Sequence, residues 1–199
     1  MILAAVYEAM LDTQFKIGTS TDRCYLSIHT DYSASGANLC TGSAKTAGTW
    51  ASAATRQKAL AGAVDIALDA GQTVKWIGIW GGTAGNTFQG MLPNGGSDYS
   101  FQVDLTNNRI YAEGIGLANN DKCVFHNDTP PTGLTAGVSY WVVGVTAGDP
   151  DYFQVSLTQG GAAIDITGQA APACAVSKIV EEAYASSGTH RVSTLTINL

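Results

Sequence analysis

Apolar positions recur at two different spacings along this chain, and the change falls near residue 24. Leu3, Val6, Tyr7, Met10, Leu11 and Phe15 follow one another by three or four. That spacing puts them on one stripe of a helix running from residue 2 to about 16. Ile17-Gly18 ends it, and Gly18 to Asp22 reads as a polar loop. Such a stripe either packs on its own domain or docks on a neighbouring copy. On the second reading Leu3, Tyr7, Met10 and Leu11 are a candidate assembly interface.

From Cys24 onward the pattern is that of strands. Cys24 to His29 is the first candidate, and Val64 to Leu68 the next, closed by Ala70-Gly71. Trp50 to Leu60 is ambiguous, because its alanines permit helix. Thr73 to Trp80 is the strongest strand of the first half. Val74, Trp76 and Trp80 fall on one of its faces, and Ile77 and Ile79 on the other, as in a central strand covered on both sides. Gly81-Gly82 turns the chain, and Thr87 to Leu92 returns as its hairpin partner.

Pro93-Asn94-Gly95-Gly96-Ser97 marks a boundary. Beyond it come short strands: Ser100–Leu105, Arg109–Glu113, Lys122–His126, Ser139–Thr146, Tyr152–Thr158, Ala162–Ile166 and Ala173–Val180. Turn clusters such as Asn107-Asn108, Asn119-Asn120-Asp121 and Gly160-Gly161 separate them. Strands at this spacing indicate a small barrel or sandwich. His190 to Leu199 forms a last strand.

Charge sharpens the division. Only 13% of residues are charged, against about 25% in ordinary soluble domains. Between Asp98 and Ala170 stand eight acids and two bases, so this segment holds the whole net charge of −6. A chain with no basic run lacks the electrostatic footprint of a nucleic-acid binder. No apolar stretch approaches the roughly 20 residues that span a bilayer. The start, Met1 to Val6, lacks a basic flank, and Glu8 and Asp12 interrupt its apolar face, so export is not expected and assembly in a cytoplasm is.

Candidate chemistry is sparse. Cys24, Cys40, Cys123 and Cys174 form no C-x-x-C pair, and no histidine lies at zinc-ligand spacing. They read as four free thiols, with Cys123 and Cys174 able to face each other across a small barrel. His29-Thr30-Asp31 sits at a strand end, where Thr and Asp bond to turn backbone. His126 and His190 have no partner at a usable spacing. No G-x-S-x-G, H-E-x-x-H or P-loop pattern occurs. Two carboxylates for glycan hydrolysis would have to come from Glu113 and a nearby Asp, because Glu8 is on the helix and Glu181-Glu182 splay. Asp149 and Asp151, with Asp128, could hold calcium, but without the spacing of a known loop. Trp76, Trp80, Trp141 and Tyr140 offer either an aromatic sugar-binding face or core; their apolar strands favour core. No catalytic residue, cofactor or metal is expected.

Two stretches resemble known pieces. Tyr25-Leu26-Ser27-Ile28-His29-Thr30-Asp31, Ser35-Gly36-Ala37-Asn38 and Thr41-Gly42 resemble the "LSLHTADPG…GANEVTGG" opening of a family of tailed-phage structural proteins. Those proteins begin with a short helix and continue with a strand like Val74 to Trp80 and a hairpin strand like Thr87-Phe88-Gln89-Gly90. Gly116 to Phe125 and Pro131 to Val143, then Tyr152 to Ser156 and Gly160 to Gly168, resemble a β module inserted in many phage virion proteins ("GLANGDRVVF…LPTGLTAGTTYYVV"). Asn120 stands where that module usually has Gly, a change that Asn tolerates because it enters left-handed backbone more readily than most residues.

The resemblance implies a multi-copy virion component, a minor tail, tail-fibre or head-decorating protein, non-enzymatic and assembled with other tail or capsid proteins. By analogy it implies a homo-oligomer, a trimer first. A host-surface glycan-binding adhesin is the alternative. The expected fold is mainly β: a β-sandwich-like base domain of residues 1–97 and 171–199 with a short N-terminal helix, and an inserted acidic β-barrel or sandwich module of residues 98–170.

Overall fold

The computed structural model describes residues 24–52, 54, 57–81, 85–95, 97–145 and 151–198. Its fold is mainly β and sandwich-like, as expected. The helix expected over residues 2–16, with Leu3, Tyr7, Met10 and Leu11, lies outside the described residues.

The chain divides into two compact units. The first takes its residues from the chain up to Leu92 and from Glu181 onward; the second is Pro93–Val180. The joints therefore fall at 92/93 and 180/181, where 97/98 and 170/171 were expected. The segments on either side of the acidic stretch belong with it because they pair inside it. Tyr99 bridges to Val176, and Ala175–Lys178 lies beside Lys122–His126.

The first unit opens with β1 (Tyr25–His29), β2 (Thr46–Ala47), β3 (Gln57–Ala59), β4 (Val64–Leu68), β5 (Gln72–Val74), β6 (Trp76–Gly81) and β7 (Thr87–Pro93). The second unit contributes β8 (Gln102–Asp104), β9 (Arg109–Tyr111), β10 (Lys122–His126), β11 (Ser139–Val143), β12 (Tyr152–Ser156) and β13 (Ala175–Lys178). The chain then returns for β14 (Glu182–Tyr184), β15 (Gly188–Val192) and β16 (Thr196–Asn198).

In the first unit one sheet has the order β2-β1-β6-β7. Leu26 and Ile28 of β1 and Ile77 and Ile79 of β6 turn into a core shared with Val64, Ile66 and Leu68 of β4 and with Val192 of β15. β4 alternates buried and exposed residues, as a strand with one covered face must. It pairs antiparallel with β15, so that His190 lies opposite Ile66 and Arg191 opposite Asp65. The strand expected over Thr73–Trp80 is two strands. β5 pairs with β14 and β6 with β1. The switch falls at Lys75, whose N–H donates to the His29 carbonyl at 2.9 Å. Val74 therefore joins the core with Ile77 and Ile79, while Trp76 and Trp80 face the other way. β6 is otherwise the doubly covered strand expected: Trp76 through Trp80 are all buried. Trp50–Leu60, open to a helical reading, is extended where described; Trp50 bridges to Leu60, and β3 pairs with β16.

The second unit is a six-stranded sheet of order β13-β10-β11-β12-β9-β8. Its core includes Ile110, Leu117, Cys123, Phe125, Tyr140, Val142, Phe153, Val155 and Val176. Ala162–Ile166, expected as a strand, makes no ladder of its own; Ile164 donates one bond to the Val155 carbonyl at 2.8 Å. Asn120 adopts φ 73°, the left-handed turn that its place in the sequence demands. Asn94 and Val180, near the two ends of the unit, meet. The Val180 N–H donates to the Asn94 carbonyl at 2.8 Å, and Asn94 Nδ2 donates to the Val180 carbonyl at 3.1 Å.

Candidate functional site

Each unit holds a histidine at the end of a strand, buried in a polar cluster, and these clusters are where site chemistry would reside. In the first unit, alternation along β1 places Ser27 and His29 on the face opposite Leu26 and Ile28. Trp80 Nε1 donates to Ser27 Oγ at 2.6 Å. Ser27 Oγ lies 2.6 Å from His29 Nε2, and His29 Nδ1 lies 2.7 Å from the Ala37 carbonyl. A carbonyl only accepts, so Nδ1 carries the proton and Nε2 takes the Ser27 hydroxyl hydrogen. Burial pushes the His29 pKa below its ordinary value, and the charge of Lys45 adds to this against the Ala37 bond. The cluster leaves no room around it: a Cβ at Gly78 would stand 2.5 Å from His29 Nε2 and Ser27 Oγ, and one at Gly36 (φ 75°) would stand 2.5 Å from the Trp80 ring. The Ser27 hydroxyl hydrogen is committed to His29, the indole N–H takes one of the two lone pairs of Ser27 Oγ, and both Ser27 and His29 are fully buried.

In the second unit, β10 and β13 bring His126 and Ser177 together, and Asp98 joins them from beside Tyr99. His126 Nε2 lies 2.8 Å from Ser177 Oγ and 3.2 Å from Asp98 Oδ1. Ser177 Oγ donates to Asp98 Oδ1 at 3.0 Å, and Asn127 Nδ2 donates to Asp98 Oδ2 at 3.1 Å. His126 Nδ1 faces Asn127 Oδ1 at 2.9 Å. Aspartate, histidine and serine are the residue types of a nucleophilic triad, but the connectivity differs. In a triad the carboxylate orients Nδ1 while the serine gives its proton to Nε2. Here Asp98 and Ser177 share the Nε2 side, and the serine proton goes to the aspartate. Burial raises the Asp98 pKa, but bonds from His126, Asn127 and Ser177 together with the nearby His126 outweigh it and hold the carboxyl below its ordinary value. The cluster ties the segment after Pro93 to β10 and β13. No spacing rule joins positions 98, 126, 127 and 177, so the chain read in order carried no sign of it.

The third histidine, His190, is 1% exposed. Its Nδ1 lies 3.1 Å from the Tyr184 hydroxyl and 3.4 Å from Glu182 Oε2. Its Nε2 has no hydrogen-bond partner. Burial lowers its pKa, opposed by Glu182.

Thr30 and Asp31 serve turn backbone: Thr30 Oγ1 donates to the Asn38 carbonyl, and Asp31 Oδ1 accepts from the Tyr32 N–H. Glu181 and Glu182 do splay, Glu181 toward Lys75 (3.7 Å) and Glu182 toward Tyr184 and His190. Glu113 is exposed in the turn after β9. Asp128 accepts from the adjacent Thr129 N–H at 2.7 Å. Asp149 lies outside the described residues, and Asp151 directly precedes β12. Among the described residues, no group of three or more His, Cys, Asp or Glu is placed to hold a metal ion.

Cys123 and Cys174 are both buried and free, and the register keeps them apart. Cys123 lies opposite Lys178 at the far end of β13, four positions from Cys174, which directly precedes that strand. That is about 13 Å at the rise of a strand, beyond the reach of a disulfide.

Of the aromatic residues, Trp76, Trp80 and Tyr140 are core, and Tyr140 Oη accepts from the Thr135 N–H at 2.8 Å. Trp141 is not. It is half-buried on the sheet's other face, with Lys122 Nζ 4.5 Å from its ring. Tyr111 and Tyr152 share that face, directly opposite each other with ring centroids 4.7 Å apart. Gln154 lies on the same side of β12, two residues from Tyr152.

Compared with known proteins, the chain matches no family model, no curated protein sequence and no solved structure.

Proposed function

We propose that this protein is a structural subunit of a tailed-phage virion, packed in many copies on tail or capsid, with Pro93–Val180 as a carried β module. The observation that carries the reading is the meeting of Asn94 and Val180. A separate core enters and leaves the chain through residues bonded to each other, the arrangement of a module inserted at an exposed turn. The resemblance of Tyr25–Gly42 and of Gly116–Gly168 to phage virion proteins supports the same reading from the side of sequence. Both buried histidine clusters tie strands together, work that suits a structural role. Affinity in such an assembly comes from modest interfaces multiplied over copies.

The half-buried Tyr111–Tyr152 pair and Trp141, with Gln154 and Lys122 beside them, favour a second role on the same particle. Rings with adjacent amide and ammonium groups suit contact with a host-surface glycan.

The test replaces residues 95–179 by a short turn in a phage that carries the gene. Particles that incorporate the shortened chain and adsorb normally support the structural reading. Incorporation with lost adsorption adds the glycan role. A full-length chain that stays monomeric and never enters particles overturns the proposal.

A further inference from the structure

The juncture of the second unit contains the chain's single Asn-Gly dipeptide, Asn94-Gly95. We propose that Asn94 is a site of spontaneous deamidation, held in check by its bonds to Val180 and irreversible in its consequence.

The reaction needs no enzyme. The Gly95 backbone nitrogen attacks the side-chain carbonyl carbon of Asn94. The bond from that carbon to Nδ2 breaks, and ammonia leaves, taking the proton that Gly95 N gives up. Water then opens the five-membered imide at either carbonyl, leaving aspartate or isoaspartate. Glycine speeds ring closure because it puts no Cβ beside the attacking nitrogen.

Both halves of the dipeptide are dictated by the fold. Gly95 adopts φ 71°, and a Cβ there would meet Val180 Cγ2 at 2.8 Å, so a side chain is excluded twice over. Asn94 is 7% exposed, and its amide donates to the Val180 carbonyl. An amide is required because a carboxylate offers only acceptors. The sequence that closes the juncture is thus also the one most prone to cyclise.

While Nδ2 is bound to Val180, the side-chain carbon is pinned and water has little access. Cyclisation waits on opening of the juncture. Once formed, aspartate at position 94 faces the Val180 carbonyl oxygen with another oxygen, and the bond cannot re-form. Isoaspartate also adds a carbon to the backbone, which shifts Gly95 away from Val180. Each opening therefore carries a chance of permanent release.

The full chain is incubated in mildly alkaline buffer, native and in urea, and peptide mass spectrometry follows amide-to-acid conversion at every asparagine. In urea, Asn94 converts faster than any other asparagine. In the native chain it converts at least about tenfold more slowly, the factor imposed by a local opening cost of about 1.4 kcal/mol. Sub-denaturing urea raises the native rate. Hydrogen exchange at the Val180 amide is faster in native chains already converted at Asn94 than in unconverted ones. Equal native and unfolded rates, an inert Asn94 in urea, or unchanged exchange at Val180 after conversion would each overturn the proposal.

Discussion

Trp80 donates its indole N–H to the Ser27 hydroxyl at 2.6 Å, across the β1–β6 pair. The bond satisfies a polar group that would otherwise lie unpaired on a face packed by Tyr32 against Trp76 and by Phe88 against Trp80. Ser27→Ala leaves Trp80 Nε1 and His29 Nε2 without this partner, and each such loss costs about 1–3 kcal/mol. Gly78→Ala strikes the same cluster from below, because a Cβ would stand 2.5 Å from both His29 Nε2 and Ser27 Oγ. Overpacking of this kind costs about 1–3 kcal/mol. Denaturant unfolding should show both variants destabilised by these amounts with unchanged slopes. A wild-type midpoint in either would refute the cluster as described.

Stability should fall in two stages on acidification. His29 and His190 are both held below their ordinary pKa of 6.5 by burial. The unfolded chain thus binds more protons, so stability rises with pH through this range and is lost as pH drops below about 6.5. Asp98 and Asp121 are held below their ordinary 3.8. For Asp121, burial pushes the carboxyl up, and the bond from Lys178 at 2.8 Å and the Ala118 N–H outweigh it. The stabilisation from these groups is present above 3.8 and disappears as pH falls through their lowered values. Urea midpoints measured from neutral to strongly acid pH should show an early decline from the histidines and a later one from the carboxylates. A flat profile between neutrality and pH 5 would contradict the histidine assignment.

The four thiols should be reduced and slow to react. All are buried, and burial pushes the pKa of Cys40 and of Cys174 up to about 11 and that of Cys123 higher still. Thiolate is the reactive species, so little is present at neutral pH. An aromatic disulfide reagent should label the native chain slowly and all four cysteines at once in denaturant. Two or fewer labelled positions in unreduced, denatured protein would reveal a disulfide and contradict the four free thiols.

The strands most legible in the sequence were those bounded by turns. Val64–Leu68 alternates cleanly before Ala70-Gly71, and Lys122–His126 lies between an asparagine turn and Asn127. Both were readable to the residue. The break at Lys75 was not. Trp76 through Trp80 are buried on both faces, and an unbroken apolar run carries no mark of where the chain changes partners. Ala162–Ile166 has strand-like residues, but a ladder also requires a free edge, and β12 gives its neighbouring segment a single carbonyl. The polar clusters divide in the same way. Ser27 and His29 lie two apart on one strand and share a face by alternation alone, whereas Asp98 meets Ser177 only because β13 returns beside β10. The outward position of Trp141 is likewise a matter of parity: Tyr140 takes the core, so its neighbour cannot.

Asn94 and Val180 also bear on how such a chain changes over generations. Because departure and return share one doorway, a single genetic exchange could remove the intervening cassette or swap it for another, with β7 keeping its place beside β6 and β14 its register with β5. Descendants could then differ wholly in the second unit while the strands of the first stay as they are.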